Sequence, residues 1–431
     1  MEVLDLAAVL LVLAAAFGYI NLKIFKLPTA IGIMLIGLIL SILLLVFRDA
    51  VPLIPAAADR FVESIDFSET LMEGMLSYLL FAGALHVNLG DLVDQKRLVG
   101  ILASFGVVFS TFLIGAVAFF LFPFFGFDVP FIWCLVFGAL ISPTDPVAVL
   151  GILKTANAPK SLETKITGES LFNDGVGVVV YLAVLGLALG GHGDHGVNGA
   201  GDIVKLFVVE AGGGMLWGFM IGTVAFYMLR SIDNYQIEVL ITLAVVTAGY
   251  RLASYWHLSG PLAMVVAGLM IGNKGRSLAM SEKTREHIDT FWELVDEILN
   301  AVLFLLIGLE LFILPDLSGS ALAVGAVLIL VVLAARFIAV SIPVALLKRK
   351  RAFTPGVVRI LTWGGLRGGI SVALALGIPK VGEHAEHREV ILVVTYVIVV
   401  FSIAVQGLTL KPLVAKVVRA EKERQSSEPA A

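Results

Sequence analysis

A chain of 431 residues that is 59% hydrophobic and only 15% charged, with a mean hydropathy of +0.98, is a polytopic membrane protein, because soluble domains hold about 25% charged residues. The net charge of −4, with basic residues dispersed in short loops, argues against a nucleic-acid partner. The single cysteine, Cys134, excludes an internal disulfide and any multi-cysteine metal or redox centre.

A span needs roughly 20 apolar residues. On that basis about thirteen transmembrane helices are expected, near 3–22, 29–47, 70–89, 98–122, 131–153, 164–190, 203–230, 235–254, 259–273, 291–313, 320–347, 356–379 and 387–410. The N-terminal stretch carries Glu2 and Asp5 and lacks the basic region of a signal peptide, so it reads as a retained first helix. Residues 274–290, "KGRSLAMSEKTREHIDT", are too polar to span and read as an interfacial or cytosolic connection. The tail beyond Leu410 is short and polar and is expected to be disordered. The domain reading is one transmembrane unit over 1–415 and a short cytosolic tail over 416–431. Alternate loops hold about 22 Lys and Arg on one side against about 6 on the other, which places the N-terminus outside and the C-terminus in the cytoplasm.

Two spans are interrupted. In the fifth, "GALISPTDPVAVLG", Pro143 and Pro146 bracket Thr144 and Asp145, and proline removes a backbone donor, so the helix breaks there. In the twelfth, "LTWGGLRGGISVALALG", Gly364, Gly365, Gly368 and Gly369 flank Arg367 and permit an unwound segment or a close crossing. The two lie seven spans apart and therefore run in opposite directions, as inverted repeats require. Paired interruptions of this kind point to a transporter's central site.

The sixth span carries "GESLFNDG". Glu169 and Asn173, and Ser170 and Asp174, are each four residues apart and form two adjacent polar columns on one helix face. A charge at the bilayer centre costs at least about 2.5 to 3.5 kcal/mol, so these groups are paired or used. A buried guanidinium stays charged and needs a permanent acceptor, so Arg367 is expected to pair with Glu169 and leave Asp174 without a partner. An unpaired carboxylate in a low dielectric is pushed toward its protonated form. Such a group holds either a proton or, when ionised, a hard cation, and competition between the two is a minimal mechanism for exchange. Ser170, Thr144 and carbonyls freed near Pro143 and Pro146 are candidate oxygen ligands for a monovalent cation at Asp174, and Asp145 would neutralise the positive ends of half-helices meeting there. With no sulfur or imidazole cluster, a transition metal is disfavoured.

"SPTDP", "GESLFNDG" and "WGGLRGG", in this order, together with "HLSGPLAMVVAGLMIGN" and "LNAVLFLLIGLEL", resemble the monovalent cation:proton antiporter-1 family of sodium/proton exchangers, over about residues 5 to 415. The resemblance implies an all-α fold of inverted repeats with two crossed unwound helices, and a core beside a dimerisation part in a homodimer. It implies antiport of Na+, or of Li+ or K+, against H+ in the cell inner membrane for pH homeostasis, with no cofactor. On this pattern Asp174 is the ion-binding and proton-carrying acid beside Asn173, Thr144 and Asp145 precede Pro146, and Glu169 matches Arg367 as a structural salt bridge. Asn173, where electrogenic relatives carry a second Asp, suggests electroneutral exchange. The sequence departs from the family pattern in the third span, where Ala82 in "LLFAGALHVNL" stands at the place of a Glu, and Glu73 lies too far along the helix to substitute without a register change.

Other features are read as structural. "HGDHG" at 192–196 is a weak metal signal in a glycine-rich loop. His86 and His257 lie near span ends, and Glu293, Asp296 and Glu297 form an acidic start to the tenth span, a solvated face or a cation-attracting mouth. Glu310 and Arg336 are candidates for structural pairing, and "GGGMLWG" at 212–218 reads as close helix packing. A cation channel and an organic-solute transporter are the alternatives; a hydrolase is disfavoured because no nucleophile, base and orienting group come together in the sequence.

Overall fold

The computed structural model describes residues 3–47, 67–155, 160–189, 201, 205, 207–312, 314, 318–348, 356–379 and 385–427. The "HGDHG" segment lies outside the described residues. In chain order the principal helices are α1 (Val3–Ile20), α2 (Thr29–Val46), α3 (Leu76–Leu85), α4 (Leu89–Ile101), α5 (Val107–Leu121), α6 (Phe131–Ile141), α7 (Val147–Thr155), α8 (Lys160–Ala188) and α9 (Gly213–Arg230). They continue as α10 (Tyr235–Tyr255), α11 (Gly260–Met270), α12 (Glu282–Glu310), α13 (Gly319–Lys348), α14 (Val357–Trp363), α15 (Gly369–Leu376), α16 (Ala385–Phe401) and α17 (Gly407–Ser427). The fold is all-α, and the described residues contain no strand. Their single β-type pairing is one antiparallel bridge between Asp145 and Leu366.

Eight helices among the described residues are long and apolar enough to cross a membrane. The five other expected segments are helical too, but short, interrupted or charged. They are the third (α3 with the π-turn Thr70–Met75), the fifth (α6 and α7), the ninth (α11), the tenth (α12) and the twelfth (α14 and α15). Helix starts follow side-chain capping. Asn88 accepts from Gly90 N at 2.8 Å and Asp91 N at 3.2 Å ahead of α4. Asn234 accepts from Ile237 N at 3.2 Å ahead of α10, while Glu238 returns a bond to Asn234 N at 3.0 Å. His257, at φ 54°, ends the α10 region in the left-handed conformation, one that His adopts more readily than most residues.

One expectation is sharpened and one needs correction. The polar stretch 274–290 becomes helical in its second half: Ser281 caps a helix by accepting from Thr284 N at 3.3 Å, so α12 begins at Glu282, well before its apolar part. Arg276, just upstream, is ion-paired with Asp289. The tail after Leu410 is helical to Ser427. Val414 is fully buried, and the following run of Ala, Lys, Glu, Arg and Val contains no glycine or proline, so helix continues outward from a packed turn.

Close backbone approach supplies the packing that hydrophobicity alone cannot supply between helices in lipid. Gly214, Gly218 and Gly222 line the side of α9 facing α11, where a Cβ on Gly214 would stand 2.5 Å from Ser259 O and one on Gly218 would stand 2.8 Å from Ala263 Cα. This is the packing role expected for "GGGMLWG". At the crossing of α2 and α12, Gly37 meets Gly308, and Ser41 Oγ donates to Gly308 O at 2.9 Å. A Cβ on Gly308 would stand 2.6 Å from Met34 O and 3.1 Å from Gly37 Cα. Gly308→Val is therefore expected to destabilise the protein by about 1 to 3 kcal/mol through overpacking. A lowered thermal midpoint in detergent checks this, with Gly319→Val, which meets no atom within 4 Å, as the comparison.

Candidate functional site

The fifth span breaks where its prolines require it. In a continuous helix Ser142 O would accept from residue 146, but Pro146 has no N–H. Pro143 O would accept from Val147 N, but that N–H goes instead to Asp145 Oδ1 at 2.8 Å. Two carbonyls at the C-terminal end of α6 are thus orphaned. Arg367 takes both: its Nη1 donates to Ser142 O and, at 2.8 Å, to Pro143 O. A cation at a helix C-terminus also complements the helix dipole.

The twelfth span breaks opposite. α14 ends at Trp363 and α15 begins at Gly369, and between them Leu366 O accepts from Asp145 N at 2.8 Å, so the two broken segments cross in direct backbone contact. Trp363 O accepts from Gln406 Nε2 at 2.9 Å, Arg367 N donates to Ser402 Oγ at 2.9 Å, and Ser402 Oγ donates to Gln406 Oε1 at 2.7 Å. The π-helical turn Ser402–Gln406 between α16 and α17 carries both side chains of this brace. At the far end of α15, Arg388 donates to Ile378 O at 2.8 Å and Leu376 O at 3.2 Å.

The glycines around Arg367 have separate duties. A Cβ on Gly368 would stand 2.6 Å from Asp145 Cγ, so Gly368 admits the Asp145 carboxylate to the crossing. A Cβ on Gly365 would stand 2.5 Å from Arg336 Nε, so Gly365 lets the Arg336 side chain pass from α13. Arg336 then reaches Glu169 as a two-pronged ion pair, Nη1 to Oε1 and Nη2 to Oε2 at 2.9 Å, and its Nε donates to Leu361 O at 3.2 Å. The expected pairing of Glu169 with Arg367 is therefore corrected: Glu169 is held by Arg336, because the orphaned carbonyls of the fifth span already engage the Arg367 guanidinium. A signal for this existed in the sequence, since Arg336 is the one charge within the long apolar run of α13.

Thr144, Ser170 and Asn173 converge. Asn173 Nδ2 donates to Thr144 Oγ1 at 2.8 Å, Asn173 Oδ1 accepts from Thr144 N at 3.4 Å, and Thr144 Oγ1 lies 3.2 Å from Ser170 Oγ. The amide gives and receives across the break, a role a carboxylate cannot fill as donor. Asp174, next on α8, is buried, and its Oδ1 has no hydrogen-bond partner among the described residues. Gly175 and Gly177 bring this part of α8 close to its neighbours: a Cβ on Gly175 would stand 2.6 Å from Leu262 Cγ, and one on Gly177 3.2 Å from Pro143 Cδ. Ala82 is buried in α3, and its carbonyl lies 2.8 Å from His86 Nδ1. Among the described residues no three His, Cys, Asp or Glu side chains are grouped to hold a metal ion.

The family model for the transmembrane sodium/hydrogen exchanger matches residues 11–416. The chain belongs to the sodium/hydrogen exchanger family. Among members of this family, a Na(+)/H(+) antiporter NhaP of Pseudomonas aeruginosa is 48% identical over 422 residues, covering 96% of this chain and 97% of that protein. A Na(+)/H(+) antiporter NhaH of Halobacillus dabanensis is 37% identical over 413 residues, covering 95% and 96%. The structure of the sodium proton antiporter MjNhaP1 from Methanocaldococcus jannaschii superposes with a TM-score of 0.71 at 18% identity, covering 97% of this exchanger chain and all of that one. At that identity the likeness concerns the fold.

Removing one partner of a buried ion pair leaves the other charge uncompensated. Arg336→Met and Glu169→Met are each expected to cost about 3 to 5 kcal/mol, and the double substitution less than their sum. Thermal unfolding of the four purified proteins in one detergent checks the cycle.

Proposed function

We propose that this exchanger moves a monovalent cation, Na+ with Li+ or K+ as further candidates, against H+ across the membrane, by competition of cation and proton for the Asp174 carboxylate under alternating access. The observation that carries this reading is the isolation of Asp174. Glu169 is held by Arg336, Asp145 Oδ1 by Val147 N, and Arg367 by two carbonyls, whereas Asp174 Oδ1 is buried at the helix crossing with no hydrogen-bond partner among the described residues. A carboxylate so placed loses hydration and gains no permanent countercharge, so it is stabilised by whichever of a proton or a hard cation reaches it. Ser170 and Thr144 supply hydroxyl oxygens one helical turn and one crossing away.

Charge balance follows from the same inventory. Asn173 is neutral and committed to Thr144, so Asp174 is the one acid of this Asn–Asp pair, and one proton exchanged there for one monovalent cation is electroneutral. The relatives named as Na(+)/H(+) antiporters agree with this reading. The surrounding arrangement completes the proposal. Residues 1–415 act as the exchanger unit and 416–431 as a short cytosolic tail; the N-terminus is outside and the C-terminus in the cytoplasm; the chain sits in the inner membrane as a homodimer and needs no cofactor.

Proteoliposomes with an imposed pH gradient and a lumenal pH dye test it. Sodium or potassium added to the wild type is expected to collapse the gradient, and Asp174→Asn is expected to abolish the response while keeping the wild-type thermal midpoint. Equal responses from the two proteins would remove Asp174 from the mechanism, and cation flux without proton movement would indicate a channel. Under electroneutral exchange the initial rate is unchanged when a potassium diffusion potential is imposed with valinomycin and sodium is the exchanged ion.

A further inference from the structure

The acidic start of α12 is not a uniform solvated face. Asp289, its third acid after Glu282 and Glu286, is neutralised by Arg276, and Trp292 is fully buried, its Nε1 donating to Thr242 Oγ1 at 3.0 Å. One turn on, Asp296 is half-buried, hydrogen-bonds to Asn300 four residues further, and lies within electrostatic reach of His86, Glu297 and, in the broken fifth span, Asp145. Asn300 is 5% exposed and its Oδ1 has no hydrogen-bond partner among the described residues. Near the next turn Leu303 packs directly on Gly369, where a Cβ would stand 3.0 Å from its Cγ, at the first residue of α15 beyond the second break. Successive turns of one helix thus lead from a polar surface to the helix crossing through a carboxylate, an unpaired amide oxygen and then an apolar contact.

We infer that Asp296 and Asn300 form a waypoint for the transported cation between the polar end of α12 and the crossing, attracting a hard monovalent cation and passing it toward Asp145 and Asp174. The inference rests on the exchange reading above. Asp296 offers a negative charge in a partly desolvated place, where attraction is stronger than in water, and Asn300 Oδ1 offers a neutral oxygen that binds a cation without trapping it. Two further groups bear on its field: Glu297 reinforces the negative potential, and His86, the C-cap of α3, faces it from across the packing. Neither residue is a ligand of the ion when it reaches Asp174; they set how readily the ion arrives.

The test is the dependence of initial exchange rate on sodium concentration in proteoliposomes, for the wild type, Asp296→Asn, Asp296→Glu, Asn300→Leu and Asp174→Asn. Asp296→Asn is expected to raise the half-saturating sodium concentration about threefold or more, the scale of one partly screened unit charge, with maximal rate near that of the wild type. Asp296→Glu should restore it, Asn300→Leu should raise it in the same direction, and the difference between wild type and Asp296→Asn should shrink when choline chloride is raised from about 20 to about 500 mM. A half-saturating concentration unchanged by Asp296→Asn, or a loss of maximal rate that Asp296→Glu does not restore, would overturn the inference. Failure of the exchange reading itself would show differently, as transport persisting in Asp174→Asn.

Discussion

Backbone carbonyls at membrane depth have no water to bond, and each one left unpaired costs several kcal/mol. Two interrupted helices that cross inside the protein therefore create a debt of polar groups at one place, and the rest of the site is arranged around its satisfaction. Ser142 O and Pro143 O go to Arg367, Trp363 O to Gln406, Leu361 O to Arg336, and Leu366 O to Asp145 N. The Arg336 guanidinium and Nη1 of Arg367 are committed to backbone or to Glu169, and the Asn173 amide to Thr144. Asp174 is what remains, a buried carboxylate whose neighbours are already engaged.

The same constraint explains which residue types surround the crossing. Arginine suits both its positions because its planar group donates in several directions at once: Arg336 spans a carboxylate and a carbonyl, and Arg367 bridges two successive carbonyls. Lysine offers a point charge and would not reproduce either geometry. The glycines are there for clearance, Gly365 for the Arg336 side chain and Gly368 for the Asp145 carboxylate, and their lack of a Cβ matters more here than any freedom of backbone. Small residues recur at Gly37 with Gly308 and along Gly214, Gly218 and Gly222, where helices approach until backbone meets backbone.

The described helices also gather into two packed groups. One joins α1, α2, α5 to α8 and α13 to α17 with the later part of α12, the other joins α3 and α9 to α11 with the earlier part of α12, and α4 (Leu98 against Leu92 and Val99) and α8 (through Leu171) also touch both. α12 belongs to both, apolar and tightly packed from Leu303 to Leu309 and polar before it. Its change of character along its length puts Asp296 and Asn300 between its polar start and the packed turns that meet the crossing at Leu303.

Much of this was legible in the chain. Hydropathy over 20-residue windows is a one-dimensional property, so the segments that became helices followed from it, and Pro143, Pro146 and the four glycines around Arg367 marked both breaks because their effects on backbone are local. Ser170 and Asn173 share one side of α8 as their helical spacing required, while Thr144 reaches them only through the packing of the broken fifth span against α8. The ends of α12 and α17 did not follow from hydropathy, since Ser281 capping and the burial of Val414 extend helix through polar sequence. Above all, the sequence could count two carboxylates and a guanidinium in its motifs but not choose among partners. That choice depends on which helix packs beside α8, and on which carbonyls lose their donors when Val147 N turns to Asp145. Only the tertiary structure brings Arg336 over Gly365 to Glu169 and commits Arg367 to Ser142 and Pro143, because the partner of a buried charge is set by distances between helices that no spacing along the chain encodes.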